Sequence, residues 1–461
     1  MQKERTYKYL SSTESFCEEC ETLVQSKIIQ EDNKIYLYKY CKVHGLKKVL
    51  YEEDAEYHTK KYIYDKNSTL TNIETELDKG CPYDCGLCPS HDQHTCIAVM
   101  EITDNCDLRC NVCYANSGLG KHLPLDTIKK MIDFYWTAEN NQAEILQISG
   151  GEPTTHPDII KIISYAKEVG IPFVMINTNG VRLSYDKEFL KELSQFNEQG
   201  FEIYLQFDGL NDNIYEKLRG KKLLETKLKT IENLIKYDIP ITLVTTVMND
   251  TNSNDLGEIL NFAMNKNCIR GVNFQPVGYF GRLEDNLTYN PITLSGILQR
   301  IEKQTNKLIQ MDDFVPLPCN VEKVAISYLI KNEDDFTPIF RGKNIENYTS
   351  LIQNTFLFTA ENILKTAKDN IKISNIFNCS CSCMNFFDNI KSILPKGFLL
   401  KSQKEKKKYL DSSTFRISIN VFVDMYNFDL KSMQKECVHI ITPDLKRIPF
   451  SAYNIIHRKN R

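Results

Sequence analysis

Short apolar, β-rich runs alternate with amphipathic helical stretches through the middle of the 461-residue chain. Helical patterns lie between consecutive runs, for example at 124–139, 156–170 and 253–267. Repeated strand–helix units favour parallel strand pairing with right-handed crossovers. The pattern therefore predicts an α/β fold, either a doubly wound sheet or a partial (β/α)6 TIM-like barrel. The six predicted strands are 97–102, 144–149, 171–177, 201–207, 241–247 and 271–277.

Polar or glycine-rich motifs follow every predicted strand at its C-terminal end. In parallel barrels this face carries the active site, so the six motifs together predict a catalytic face. They are the cysteine-containing loop 103–118, SGGEP (149–153), NTNG (177–180), QFDG (206–209), TTVMND (245–250) and FQPVGYFGR (274–282).

Three cysteines with C-x3-C-x2-C spacing follow the first strand, namely Cys106, Cys110 and Cys113. A structural zinc site or an electron-carrier cluster uses four protein ligands. Three thiolates on a [4Fe–4S] cube leave one iron open, just as an open position separates catalytic from structural zinc. The spacing therefore predicts a cluster that takes part in chemistry.

The overall composition excludes several classes of partner. The net charge of −3, from 57 basic and 60 acidic residues, gives no general attraction for nucleic acid. There is no apolar run of membrane-spanning length and no apolar secretory segment at the N-terminus. We expect a cytoplasmic protein with no nucleic-acid partner, whose membrane contact is limited to transient contact with the surface. Because disulfides are rare in that compartment, the sixteen cysteines indicate metal or iron–sulfur binding.

Four cysteines precede the barrel within sixteen residues: Cys81, Cys85, Cys88 and Cys96. Four thiolates are enough for a closed auxiliary [4Fe–4S] cluster, and structural zinc is the alternative. We favour the cluster because the segment adjoins the three-cysteine loop.

A second group lies further upstream, where Cys17 and Cys20 pair with Cys41 and His44 as C-x2-C…C-x2-H. The segment between the two pairs has the pattern of a hairpin. Two knuckles joined in this way predict a small tetrahedral site for zinc or mononuclear iron.

With these motifs the chain resembles the radical S-adenosylmethionine (SAM) superfamily, whose signature is a three-cysteine loop after the first barrel strand. The resemblance implies that Cys106, Cys110 and Cys113 hold a [4Fe–4S] cluster whose open iron binds SAM. It also implies reductive cleavage of SAM to a 5′-deoxyadenosyl radical, which abstracts hydrogen from an unactivated carbon. The residues expected to contact SAM or substrate are Gly150, Gly151, Glu152, Asn177, Thr178, Asn179, Gln206, Asp208 and Gln275.

The knuckle, the KGCPYDCGLCPSHDQHTC segment (79–96) and the YLQFDG and NFQPVGYFGR motifs resemble one branch more closely. That branch contains the archaeal tetraether lipid synthases and related pterin-linked radical SAM methyltransferases. Two departures stand out: Ser451 replaces the cysteine of the branch's PFCAYN motif, and no second cysteine soon follows Cys319. A C-terminal auxiliary cluster would therefore draw on Cys319, Cys379, Cys381, Cys383 and Cys437.

The resemblance leads us to expect an enzyme that forms a C–C bond on a lipid chain. The alternatives are a methyltransferase that acts on a pterin or other small molecule, and an enzyme that modifies a ribosomal peptide. A lipid needs a long apolar groove and a pterin needs a compact hydrogen-bonding slot. A reductant such as ferredoxin or flavodoxin is the expected partner. The expected domains are a metal-knuckle module (1–75), an auxiliary iron–sulfur segment (76–98), a partial barrel (99–310) and a C-terminal α+β substrate and auxiliary-cluster domain (311–461).

Overall fold

The computed structural model describes residues 5–66, 70, 72–115, 117–283, 287–332, 335–342, 402, 405, 409 and 413–458. Cys379, Cys381 and Cys383, which the sequence offers as cluster ligands, lie outside the described residues.

An antiparallel meander forms the N-terminal module. Alternate residues of its third strand are buried, which is the period of a strand with one covered face. The second and third strands, with the turn between them, form the predicted hairpin between the two cysteine pairs. A short helix follows, and the Asp54 carboxylate caps it by accepting from the Tyr57 amide at 2.9 Å. These elements are β1 (Lys8–Phe16), β2 (Leu23–Glu31), β3 (Lys34–Cys41), β4 (Gly45–Glu52) and α1 (Ala55–Lys60).

Six parallel strands form the centre of the molecule, and each lies next to its predecessor in the chain. This consecutive order confirms the barrel-like prediction and not a doubly wound sheet, whose strand order reverses direction. The strands are β5 (Ile97–Glu101), β6 (Ile145–Ser149), β7 (Phe173–Thr178), β8 (Phe201–Gln206), β9 (Ile241–Val247) and β10 (Ile269–Pro276).

The helices of this unit pack on the sheet through apolar faces. In the first of them Ile128, Met131, Ile132 and Tyr135 recur at helical spacing, and all four are fully buried. Burying each such side chain contributes about 1.5–3 kcal/mol. The helices are α2 (Leu125–Ala138), α3 (Ile159–Val169), α4 (Lys187–Leu193), α5 (Asp212–Arg219), α6 (Leu224–Lys236), α7 (Leu256–Met264) and α8 (Leu294–Gln304).

The C-terminal α+β extension adds strands to both edges of the central sheet. Strand β14 (Thr414–Asn420) pairs in parallel with β10 at one edge, and strand β15 (Val438–Ile441) pairs in parallel with β5 at the other. The sheet is therefore wider than six strands, and its strand order is open. The elements are β11 (Val315–Pro316), β12 (Val324–Asn332), β13 (Asp335–Pro338), β14 (Thr414–Asn420), α9 (Leu430–Gln434), β15 (Val438–Ile441), β16 (Arg447–Pro449) and α10 (Phe450–Ala452).

Within the described part of the chain, every helix is too short or too polar to span a bilayer.

Candidate active site

A cavity of about 260 Å³ opens at the C-terminal ends of the central strands. All the residues predicted for the cysteine loop and the SAM contacts line it, except Asp208. Its wall therefore brings together residues from all six predicted motifs, including Thr246 of the TTVMND motif.

The cysteine loop is held by backbone contacts with the end of the NFQPVGYFGR segment. The amides and carbonyls of Cys113 and Arg282 bond to each other at 2.9 Å in both directions. The Arg282 guanidinium also donates to the Cys110 carbonyl at 2.7 Å and to the Ser117 carbonyl at 2.9 Å. Burial raises the pKa of the Cys106 thiol to about 12, so a metal bound there must displace its proton.

Gly150 and Gly151 pack directly against the backbone of the cysteine loop. A Cβ on Gly150 would lie 2.3 Å from the Thr103 carbonyl oxygen, and one on Gly151 would lie 2.2 Å from that of Asn105. The Gly151 amide donates to the Thr103 carbonyl at 2.7 Å. Only glycine fits at such a distance. The sequence predicted a close approach to a ligand here, and the structure adds a close approach to the loop itself.

Glu152 is fully buried, and protein donors occupy both of its carboxylate oxygens. One oxygen accepts from the Thr178 hydroxyl at 2.7 Å, and the other accepts from the Asn179 amide at 2.7 Å. Burial raises the pKa of this carboxyl group. The Asn179 side chain in turn donates to Asp107 in the cysteine loop at 2.6 Å. Glu152 thus fixes the NTNG segment against the loop.

Behind the wall, Asp208 binds the buried Arg219 through two bonds of 2.7 Å. Arg219 also donates to the Val112 carbonyl in the cysteine loop at 3.2 Å. Lys227 is buried beside this pair and donates to Gln206 at 2.6 Å. Burial lowers the pKa of Lys227 to about 8. Two cations therefore lie next to the loop, and the first of them lines the cavity.

One wall of the cavity is polar, and strands β8, β10 and β14 supply it. Tyr204 accepts from Asn273 and, at 3.3 Å, from Gln275. The Asn273 side-chain oxygen is buried and has no hydrogen-bond partner among the described residues. Arg416 lies 3.3 Å from the Glu202 carboxylate. This wall offers both donors and acceptors to a ligand.

Apolar side chains from β5, β6 and β7 also line the cavity, among them Ile145, Phe173 and Met175, and the same strands contribute the polar Gln147 and Asn177. A flat ring in this cavity would have apolar side chains available to its face and hydrogen-bonding groups available to its edge.

Sequence reasoning missed Arg219, Lys227, Tyr204, Asn273 and Arg416. Tyr204 and Asn273 lie in the YLQFDG and NFQPVGYFGR motifs, but the resemblance assigned neither of them a role. Arg219, Lys227 and Arg416 carried no local signal, because their positions depend on how helices and the C-terminal strand pack.

The donor set fits a [4Fe–4S] cluster with one open corner. Three cysteine side chains line one cavity, and the backbone of their loop packs against Gly150 and Gly151. The cavity extends beyond the cysteines along the NTNG segment, which leaves room for a ligand on the open iron.

The N-terminal cysteine pairs converge at one end of the meander. The ligand atoms of Cys17, Cys20, Cys41 and His44 all lie within 4.8 Å of one another. The Thr22 hydroxyl, 3.0 Å from the Cys20 sulfur, lowers the pKa of that thiol to about 6. The group suits a single tetrahedral ion.

The four cysteines before the barrel divide between two places. Burial, and after it the charge of the neighbouring thiolates, raises the pKa of the Cys81 and Cys85 thiols, and Cys88 is one of the neighbours for both. Cys96 instead lies with Cys319 and Cys437, and the three Sγ atoms are within 4.8 Å of one another. This differs from the predicted four-cysteine set, because the Cys96 amide donates to the Cys437 carbonyl at 2.9 Å and fixes Cys96 at the start of β5.

Two family models match the chain. The radical SAM superfamily matches residues 100–263, and the HMPTM N-terminal zinc ribbon domain matches residues 9–53. These matches cover the central unit from the end of β5 through β9, together with the meander. The chain belongs to the radical SAM superfamily, and it is an enzyme that uses a [4Fe–4S] cluster and SAM.

A full-length relative narrows the family further. The 7,8-dihydro-6-hydroxymethylpterin dimethyltransferase of Methanocaldococcus jannaschii is 34% identical, and the alignment covers 97% of this chain and 94% of the relative. The chain belongs to the family of that enzyme.

Other relatives match over less than half of the chain. A probable GTP 3′,8-cyclase of Thermococcus kodakarensis is 29% identical over 36% of this chain and 52% of its own length. The PqqA peptide cyclase of Bradyrhizobium diazoefficiens is 27% identical over 40% of this chain and 47% of its own. Among solved structures, Streptococcus suis SuiB bound to S-adenosylmethionine has a TM-score of 0.40 and 18% identity, and it covers 47% of this chain and 48% of its own.

Proposed function

We propose that the protein is a radical SAM methyltransferase that acts on a pterin or a heteroaromatic ring of similar size. The observation that carries the proposal is the polar wall of the cavity, formed by Tyr204, Asn273, Gln275 and Arg416. The 34% identity to a pterin dimethyltransferase over nearly the whole chain supports the same substrate class.

A pterin matches the polar wall in chemistry. Its pyrimidinone edge presents N–H donors beside a carbonyl acceptor. The unpartnered Asn273 oxygen accepts from the N–H groups, and the Arg416 guanidinium donates to the carbonyl. In this arrangement the ring face packs on Phe173 and Met175, which line the same cavity.

The expectation of C–C bond formation on a lipid chain is not supported. The full-length relative is named for a pterin substrate, and hydrogen-bonding side chains form one wall of the described cavity. The peptide-cyclase match covers 40% of this chain, so it bears on the superfamily and not on the substrate.

In this proposal Cys106, Cys110 and Cys113 hold the catalytic cluster. SAM lies along Gly150, Gly151, Asn177 and Asn179, with Glu152 and Asp208 as positioning residues and Gln206 and Gln275 at the substrate end. When bound, the cluster and SAM supply reductive cleavage to the 5′-deoxyadenosyl radical.

The chain's own residues hold the loop and exclude water. Arg282, the glycine pair and the Asp208–Arg219 pair fix the cysteine loop, while Arg219 and Lys227 offset the negative charge of a thiolate-bound cluster. Cys81, Cys85 and Cys88 hold an auxiliary cluster. The Cys17, Cys20, Cys41 and His44 group holds zinc, and a ferredoxin or flavodoxin supplies electrons.

The test is anaerobic reconstitution with iron and sulfide, followed by incubation with SAM, dithionite and a 6-hydroxymethyl-7,8-dihydropterin. We expect 5′-deoxyadenosine together with a pterin that has gained one or two methyl groups, detected by mass spectrometry. Substituting alanine for Cys106, Cys110 and Cys113 together should abolish both products. Formation of 5′-deoxyadenosine with no methylated pterin, including when a cell extract supplies the methyl donor, would contradict the substrate and leave the superfamily assignment intact.

A further inference from the structure

Three buried thiols meet at the bottom of the sheet, at the end opposite the cysteine loop. Cys96 immediately precedes β5, Cys437 immediately precedes β15, and Cys319 lies between β11 and β12. All three are fully buried, and their Sγ atoms lie within 4.8 Å of one another. Residues this far apart in sequence converge here only in the folded chain.

The spacing of these thiols suits one metal ion. A tetrahedral ion with metal–sulfur bonds of about 2.3 Å holds its thiolates about 3.8 Å apart. A cube binds each thiolate to a different iron and holds them further apart. The same chain shows both spacings. The sulfur atoms of Cys20 and Cys41 in the N-terminal group are 3.8 Å apart. Among the described residues, the three cysteines of the loop 103–118 do not form a group whose ligand atoms all lie within 4.8 Å of one another.

A candidate fourth ligand, His94, lies beside one of the three thiols. The Nε2 atom of His94 is 3.5 Å from the Cys96 sulfur. The ligand atoms of His94, Cys96 and Glu144 form a second group within 4.8 Å, which shares Cys96 with the three-thiol group. The Glu144 carboxylate lies 3.9 Å from the same nitrogen and provides a partner for the imidazole.

We propose that Cys96, Cys319, Cys437 and His94 bind a single tetrahedral divalent ion of the zinc class. A site with four protein ligands is closed, so its role is structural. The cysteine ligands come from both edges of the sheet, so the ion would connect these edges. Cys319 belongs to the edge formed by β11 and β12, whereas Cys96 and Cys437 belong to the edge formed by β5 and β15.

The ion would therefore join the two ends of an open sheet. In the described sheet, no backbone hydrogen bonds join β12 to β15. Side chains from these two strands, Ile326 and Val438, nevertheless line the same cavity. A metal ion bound below these side chains would hold the two sheet edges together at the point where backbone hydrogen bonds do not.

The experiment counts metal in the full-length protein. Zinc is measured per chain in a background that lacks the N-terminal site through Cys17→Ala and Cys20→Ala. We expect about one remaining zinc in this background and about none after adding His94→Ala or Cys319→Ala. His91→Ala is the matched control, because His91 lies in the same loop but bonds to the Glu436 carbonyl at 2.9 Å and to His439. It should keep the ion.

His94→Cys separates loss of a ligand from loss of the fold, because it restores a fourth donor. We expect this variant to regain the ion, and its cobalt(II) form to show stronger sulfur-to-cobalt charge transfer than the unsubstituted protein. Retention of zinc in His94→Ala, or its loss from Cys379→Ala/Cys381→Ala/Cys383→Ala instead, would overturn the ligand set. Joint loss of iron and sulfide in Cys319→Ala would show a cluster in place of the ion, and absence of zinc from the background protein would refute the site.

Discussion

Gly151 lies so close to Asn105 that a Cβ added at position 151 would stand 2.2 Å from the Asn105 carbonyl oxygen. The contact is with backbone, which cannot swing aside as a flexible side chain would. The glycine pair therefore sets the position of the cysteine loop, and through it the position of any cluster that the loop holds.

Gly151→Ala should displace the loop and reduce formation of 5′-deoxyadenosine. Because misplacement of reacting groups by about 1 Å costs about 100-fold in rate, we expect a loss of that order. The measurement is 5′-deoxyadenosine per reconstituted cluster. Gly118→Ala is the control, because a Cβ at this position in the same loop meets nothing within 4 Å. Equal activity of the two variants would contradict the argument.

The Asp208–Arg219 pair is a second support for the loop. Asp208→Asn leaves the Arg219 guanidinium buried without its carboxylate, and breaking a buried pair in this way costs about 3–5 kcal/mol. The change should lower the urea midpoint of unfolding. Glu216→Gln, on the helix that carries Arg219, removes an exposed carboxylate and should leave the urea midpoint unchanged. A midpoint in Asp208→Asn that matches the unsubstituted protein would mean that the pair does not stabilise the fold.

We expect one substitution in the polar wall to change the KM for the pterin without changing the KM for SAM. Asn273→Ala removes the side-chain oxygen that has no partner among the described residues. Loss of one hydrogen bond, worth about 1–1.5 kcal/mol, should raise the KM for the pterin about tenfold. The KM for SAM should not change. A parallel rise in both values would instead indicate a general distortion of the cavity.

The central unit could be predicted from the sequence because its signals are local. The runs at 97–102 and 241–247 became β5 and β9, and the stretch at 124–139 became α2. Each depends on the period of apolar residues within one element. The motifs at strand ends met in one cavity because parallel strands share an edge.

The pairing of distant segments could not be predicted. Nothing near Thr414–Asn420 indicates that it lies beside β10, yet this pairing brings Arg416 into the cavity wall. Similarly, Cys96 follows three cysteines closely in sequence but joins Cys319 and Cys437 in space. Spacing along the chain predicts ligand sets within one loop, and it fails where a backbone hydrogen bond to a remote strand fixes the residue.

Lys39 connects the N-terminal module to the C-terminal part of the chain. Its buried ammonium donates to the Phe16 carbonyl at 2.9 Å and to the Tyr426 carbonyl at 2.8 Å. Lys39→Met keeps most of the apolar stem but leaves both acceptors without this donor, at a cost of about 1–3 kcal/mol for each buried group. We expect faster proteolytic cleavage between the module and the barrel, with the zinc content unchanged because the cysteine pairs are untouched. Lys34→Met, at an exposed position on the same strand, should behave like the unsubstituted protein. If both variants are cleaved at the same rate, Lys39 does not hold the module in place.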